Sequence, residues 1–263
     1  LEQVWLVALF TFIIHLSETL TYSLRLAGVR IGKLAVALSL SGVILLISRT
    51  ANMVQAPLTG KLIDFSKQNV DYNLIDSFRM IIGAATAGTF AAILLFPSAV
   101  FLSTRFISHL EAAGSIPHMF RYSVSFQKLK HARYHLRIPE LSMLSRLRIG
   151  GIPKRLVVLH VLVTAIYTIG VLAALLASTL TTEHAIAASQ SSGLINGIST
   201  ILLTILIDPQ IGLITDKVLK GEKEIASLNK VFGLLMMSRL LGTVLAQALL
   251  LPAAYWIKWM VVG

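Results

Sequence analysis

Of the chain's 263 residues, 56% are hydrophobic and only 13% charged, and the mean hydropathy is +0.79. A soluble domain carries about 25% charged residues, so this chain has too little charge to cover a water-facing surface. The net charge of +11 therefore points to loops facing an anionic membrane leaflet rather than to nucleic acid. The lack of cysteine removes disulfides, thiol catalysis and thiolate metal sites.

Six apolar stretches, over 3–24, 34–56, 80–104, 156–180, 186–208 and 231–257, are each long enough to cross a ~30 Å hydrocarbon core as a helix. The prediction is an all-α polytopic membrane protein. Glu2 stands where a signal peptide would have a basic region, and no small-residue cleavage site follows, so the first stretch is read as a retained span. Within it, His15 and Glu18 are three residues apart on one helical face that Tyr22 continues. Ionisable groups in a span face a cavity or a partner. The pair fits a proton relay or ion site, and equally a mutually satisfied pair that packs against another helix.

The connection Arg25-Leu26-Ala27-Gly28-Val29-Arg30-Ile31-Gly32-Lys33 gathers Arg25, Arg30 and Lys33 beside two glycines at one membrane face. It fits capture of a lipid-linked phosphate, and equally a plain basic turn. Span two ends in Ser48-Arg49-Thr50-Ala51-Asn52-Met53-Val54-Gln55-Ala56-Pro57. Arg49, Asn52 and Gln55 recur at steps of three, and a guanidinium suits a phosphate because its fork donates two parallel hydrogen bonds. The alternative is an arginine that snorkels to the interface.

Between spans three and four, the long basic connection 105–155 holds Met119, Phe120, Tyr122, Phe126, Leu129 and Leu136 at near-helical spacing, interleaved with Arg121, Lys128, Lys130, Arg133 and Arg137. It reads as an amphipathic helix on anionic lipids, or as a solvated connector. The loops after spans one, three and five carry 17 Lys and Arg against four on the other side. That asymmetry predicts basic loops in the cytoplasm and both termini outside, with Trp5, Trp256 and Trp259 at one interface.

The two halves resemble each other at an offset of about 152 residues. Pro57, Gly60 and Asp64 match Pro209, Gly212 and Asp216 as P-x-x-G-x-x-x-D. Gly88-Thr89 ahead of Leu94-Leu95-Phe96-Pro97 matches Gly242-Thr243 ahead of Leu249-Leu250-Leu251-Pro252. Three spans per half place the second half in the membrane upside down, a 3+3 inverted repeat with units 1–104 and 156–263 on either side of the loop. Such repeats place broken helices and the substrate site at their interface. Pro57, Gly60, Pro209 and Gly212 are the expected breaks, or plain helix ends. Asp208 and Arg239 are the remaining intramembrane charges, and Asp208 is expected to pair with Arg49 or Arg239. No HExxH and no G-x-S-x-G occurs, so neither a zinc site nor a serine nucleophile is expected, and no cofactor is implied.

The runs Glu18-Thr19-Leu20-Thr21-Tyr22-Ser23-Leu24-Arg25-Leu26-Ala27-Gly28-Val29-Arg30, Ala35-Val36-Ala37-Leu38-Ser39-Leu40, Ser48-Arg49-Thr50-Ala51-Asn52-Met53 and Gln55-Ala56-Pro57-Leu58 resemble the Amj family, most densely over 15–64. Ile31 departs from the threonine expected there, and Ser41-Gly42 from an aromatic followed by asparagine. The resemblance implies an alternate lipid II flippase of the bacterial cytoplasmic membrane. Its substrate would be an undecaprenyl-pyrophosphate that carries the peptidoglycan precursor. Arg49, His15, Glu18, Asn52, Gln55, Asp208 and Arg239 are then the expected headgroup path, with Arg25, Arg30 and Lys33 for pyrophosphate capture. Rival readings are a secondary carrier of a small anion or drug, and an intramembrane enzyme or accessory factor on lipid-linked sugars that uses His15 and Glu18. Oligomeric state is not legible.

Overall fold

The computed structural model describes residues 2–69, 71–115, 118 and 153–263. Among these the regular structure is all helical, and six helices are long and apolar enough to cross a membrane. They are α1 (Glu2–Arg30), α2 (Leu34–Gln68), α3 (Leu74–Ala113), α4 (Lys154–Thr179), α5 (Ala185–Leu219) and α6 (Ile225–Val262). The amphipathic stretch expected at 119–137 lies outside the described residues.

Each expected span falls within a helix, save that 156–180 passes the end of α4 by one residue, and the helices are longer. At 35 residues, α2 is about 52 Å long, well beyond a ~30 Å core. It does not end at Pro57 but continues through Pro57 and Gly60 to Gln68. The expected break is thus a continuous helix, since a membrane helix accommodates an internal proline when neighbours serve the freed backbone groups. Likewise α5 runs through Pro209 and Gly212, interrupted only by a π-helical turn at Leu203–Ile207. Pro209 has no N–H for the carbonyl of Ile205, and a π turn is one way to absorb that loss.

Packing follows the same order in both halves. α1 lies between α2 and α3, which scarcely touch each other, and α4 lies between α5 and α6; α3 and α6 provide the broadest contact across the halves. Two glycines, one in each half, permit close helix crossings. A Cβ on Gly88 would strike the main-chain carbonyl of Phe12 on α1. A Cβ on Gly242 would lie 2.7 Å from Val161 O and Thr164 Cβ on α4. Small residues allow such close backbone approach where lipid removes the usual hydrophobic drive. Both glycines come from the repeated Gly-Thr pair, and Thr89 and Thr243 beside them are fully buried.

The buried apolar side chains form two cores stacked along the helices. One holds Val4, Val7, Phe78, Ile82, Ala173 and Leu250, the other Leu26, Leu40, Ile107, Leu156 and Phe232. Trp5, Trp256 and Trp259 are exposed at the first end. Between the cores lies a polar layer: His15 and Glu18 on α1, Ser48 and Gln55 on α2, His160 and Tyr167 on α4, and Arg239 on α6.

Gly88→Ala and Gly242→Ala are each expected to destabilise the purified protein by about 1–3 kcal/mol. Gly83→Ala, whose Cβ would meet nothing nearer than 3.9 Å, should be neutral. Melting temperatures in detergent measure this, and three equal values would remove the close-crossing argument.

Candidate functional site

Two steps along α1, of three and four residues, bring His15, Glu18 and Tyr22 onto its inward face. Glu18 is the hub. One carboxylate oxygen pairs with the Arg239 guanidinium of α6. The other accepts hydrogen bonds from Ser48 Oγ at 2.7 Å and Tyr167 Oη at 3.2 Å. Four helices from both halves therefore converge on one carboxylate, and the two charged side chains are only 12% and 11% exposed. One turn along, Tyr22 Oη lies 3.3 Å from His160 Nε2, and its ring packs on Phe232 with centroids 5.6 Å apart.

His15 does not hydrogen-bond to Glu18. It is 3% exposed, its Nδ1 has no partner among the described residues, and it lines a cavity of about 50 Å³ with the polar residues Thr11, Asn52, Gln55, Tyr167, Thr168 and Asn196, the rest of the lining being aliphatic. That volume holds a few waters. The cavity lies between the halves and is far too small for a disaccharide-pentapeptide. Among the described residues, no group of three or more His, Asp or Glu comes together to hold a metal.

The remaining charges depart from expectation. Asp208 pairs with neither Arg49 nor Arg239; its carboxylate is 3.9 Å from Arg25 at a half-exposed site. The reason is that Glu18 already occupies Arg239, while Arg49 is on the exposed side of α2. Asn52 is exposed beside Arg49, but its amide reaches the rim of the cavity and hydrogen-bonds to Tyr167. Gln55 has turned inward to donate from Nε2 to Thr11 Oγ1 at 2.9 Å. Steps of three lag the 3.6-residue turn by 60° each, so the expected common face of Arg49, Asn52 and Gln55 divides after two steps. Arg49 makes no hydrogen bond or ion pair among the described residues. Lys33 pairs with Glu111, and Arg30 donates to Asn229 Oδ1 at 3.2 Å.

His160 and Tyr167 are absent from the sequence-derived set. The rule that selected His15, an ionisable group inside an apolar span, applies equally to His160. The repeat offset also places Tyr167 opposite His15.

A family model described as "Alternate to MurJ" matches residues 10–261. The chain belongs to the Amj family. The protein called "Lipid II flippase Amj" from Bacillus subtilis (strain 168) is 43% identical over 259 residues, which cover 98% of this chain and 96% of that one. No solved structure matches. The residue run that carries the resemblance, 15–64, contains Glu18, Ser48, Arg49, Asn52 and Gln55, so in this Amj chain it supplies the carboxylate hub and the exposed arginine together.

Glu18→Gln is expected to destabilise the protein by about 3–5 kcal/mol, because it strands a buried guanidinium. Glu18→Leu combined with Arg239→Leu should recover most of that loss. Thermal unfolding of the three proteins measures it. A double variant no better than Glu18→Gln would show that the pair's charges do not compensate each other.

Proposed function

We propose that this protein is a lipid II flippase, which carries the undecaprenyl-pyrophosphate-linked peptidoglycan precursor from the inner to the outer leaflet of the bacterial cytoplasmic membrane. The observation that carries the proposal is its similarity to the Bacillus subtilis flippase over nearly the whole length of both chains. A flippase of this substrate must lead a large polar headgroup across hydrocarbon while the polyprenyl tail stays in lipid, and it needs no covalent chemistry.

The geometry is consistent with a path along α2. That helix is poorly covered, and Arg49 lies about 24 Å along it from Lys33, at 1.5 Å per residue. A charge in mid-span costs at least ~2.5–3.5 kcal/mol on insertion scales. Glu18 and Arg239 offset each other; among the described residues Arg49 has no anion to do so. A pyrophosphate is a fitting counter-charge, because the guanidinium fork donates to two phosphate oxygens at once. Asn52, exposed one turn on, extends the polar stripe. The inward members of the expected path, His15, Glu18, Gln55 and Arg239, serve instead to join the halves and line the small cavity.

At the α1–α2 turn, Arg25, Arg30 and Lys33 form the capture site. Their partners are partly solvated, and such ion pairs are worth about 1 kcal/mol or less, so a pyrophosphate can displace Asp208 and Glu111. In this reading units 1–104 and 156–263 are inverted repeats. Loop 105–155 lies on anionic lipid of the cytoplasmic leaflet, and both termini are outside. The matched packing of α1–α3 and α4–α6, and the paired Gly88 and Gly242 crossings, support the repeat.

In cells whose other lipid II flippase is shut off, this protein is expected to sustain outward exposure of lipid II. Arg49→Ala at matched membrane levels should reduce exposure at least about tenfold, the effect of one lost charged hydrogen-bonding partner, and Arg49→Lys should retain part. Exposure equal to wild type in Arg49→Ala would remove Arg49 from the path. No exposure by the wild type would sink the flippase reading.

A further inference from the structure

The cavity between the halves has a lining whose hydrogen-bond protons are almost all committed elsewhere. Thr11 Oγ1 donates to Val7 O at 2.9 Å, so the Gln55 group that meets it must be the amide NH₂. This fixes the orientation of an amide that is otherwise ambiguous. Gln55 Oε1 is therefore the unpartnered buried oxygen at the cavity. Thr168 donates to Thr164 O at 2.7 Å, so its hydroxyl keeps lone pairs to spare. Tyr167 donates to Glu18 Oε1 at 3.2 Å and accepts from the Asn52 amide, which also lines the cavity, so both of these groups are committed. Asn196 Oδ1 is a second buried oxygen without a partner. It lies against Gly170, where any Cβ would collide with it. His15, 3% exposed, adds a ring nitrogen lone pair whichever tautomer it takes.

Three oxygens and one nitrogen thus offer lone pairs around a volume of about 50 Å³. None carries formal charge. Glu18, the nearest carboxylate, is held by Arg239, Ser48 and Tyr167. Calcium and magnesium sites draw on carboxylates, so a neutral oxygen set of this size suits a small monovalent cation that retains one or two waters. We propose that this cavity binds Na⁺, with Gln55 Oε1, Asn196 Oδ1 and Thr168 Oγ1 as its protein ligands and His15 Nδ1 or Nε2 beside them. The ligands come from α2 in one half and from α4 and α5 in the other, with His15 on α1. Occupancy therefore holds the two halves in the arrangement seen here. A link between Na⁺ and transport rests on the flippase reading; the binding itself does not.

The test uses full-length protein in detergent, melted in choline chloride that is replaced stepwise by NaCl or KCl at constant ionic strength and pH. A ligand that binds only the folded state raises Tm in proportion to the logarithm of its concentration above Kd. The expected result is a Tm rise of several degrees with Na⁺ that K⁺ does not reproduce. Asn196→Ala and Thr168→Val should lose it while still melting cooperatively in choline. Thr168→Val is nearly isosteric and its hydroxyl binds only its own helix, so it decides the matter if Asn196→Ala does not fold. A wild-type Tm indifferent to Na⁺, an equal rise with K⁺, or a rise kept in both variants would overturn the proposal. So would a Tm that ignores Na⁺ but shifts with pH in a His15-dependent way, which would make this a proton site. Lipid II exposure is measured separately. Exposure without a Na⁺ shift removes the cation site and leaves the flippase, and a Na⁺ shift without exposure does the reverse.

Discussion

A carboxylate buried in a membrane must be neutralised where it stands, and in this protein that requirement organises the fold. Glu18 cannot be accommodated by α1 alone. It draws a guanidinium from α6 and hydroxyls from α2 and α4, which fixes those helices relative to one another at one depth. The apolar cores on either side are non-directional, since dispersion and exclusion from lipid would tolerate many rotations of the same helices. The polar layer selects one of them. It also makes the contact between the halves polar at its centre. A cluster of this kind supplies specificity of arrangement more readily than net stability.

The layer separates two kinds of polar group that the sequence presents as one set. Inward groups satisfy each other or face the small cavity. Arg49, the outward group, has no such partner among the described residues, and Asn52 stands between the two kinds, exposed on α2 yet bonded to Tyr167 at the cavity. A headgroup path and an ion site then need not compete for the same side chains. The poorly covered helices, α2 and α5, occupy corresponding positions beside α1 and α4.

The spans were legible because hydrocarbon imposes a length and a composition that few other environments require. Helix ends were not, because Pro57 and Pro209 read as punctuation in water but are carried within membrane helices. The intramembrane charges were legible as a group, since each contradicts its surroundings. Their pairing was not. Asp208 reads as a partner for Arg49 or Arg239 only if sequence position stands for rotation about the helix, and the π turn just before Asp208 and the 60° lag between Arg49 and Asn52 both alter that rotation. Thr11, Thr168 and Asn196 carry no sequence signal at all. Their role depends on where their protons go, which only the packed structure reveals.

The continuity of α2 through Pro57 has one further consequence. A proline nitrogen has no hydrogen to offer, so the carbonyl of Met53, four residues back, lacks its usual helical donor. Met53 is 76% exposed and is one turn from Arg49, so the outer stripe of α2 sets a carbonyl deprived of its usual helical donor alongside a five-donor guanidinium. Such a surface is amphoteric toward hydrogen bonds. It can receive a hydroxyl as readily as it can grip an anion, a pairing suited to any molecule in which sugar and phosphate adjoin.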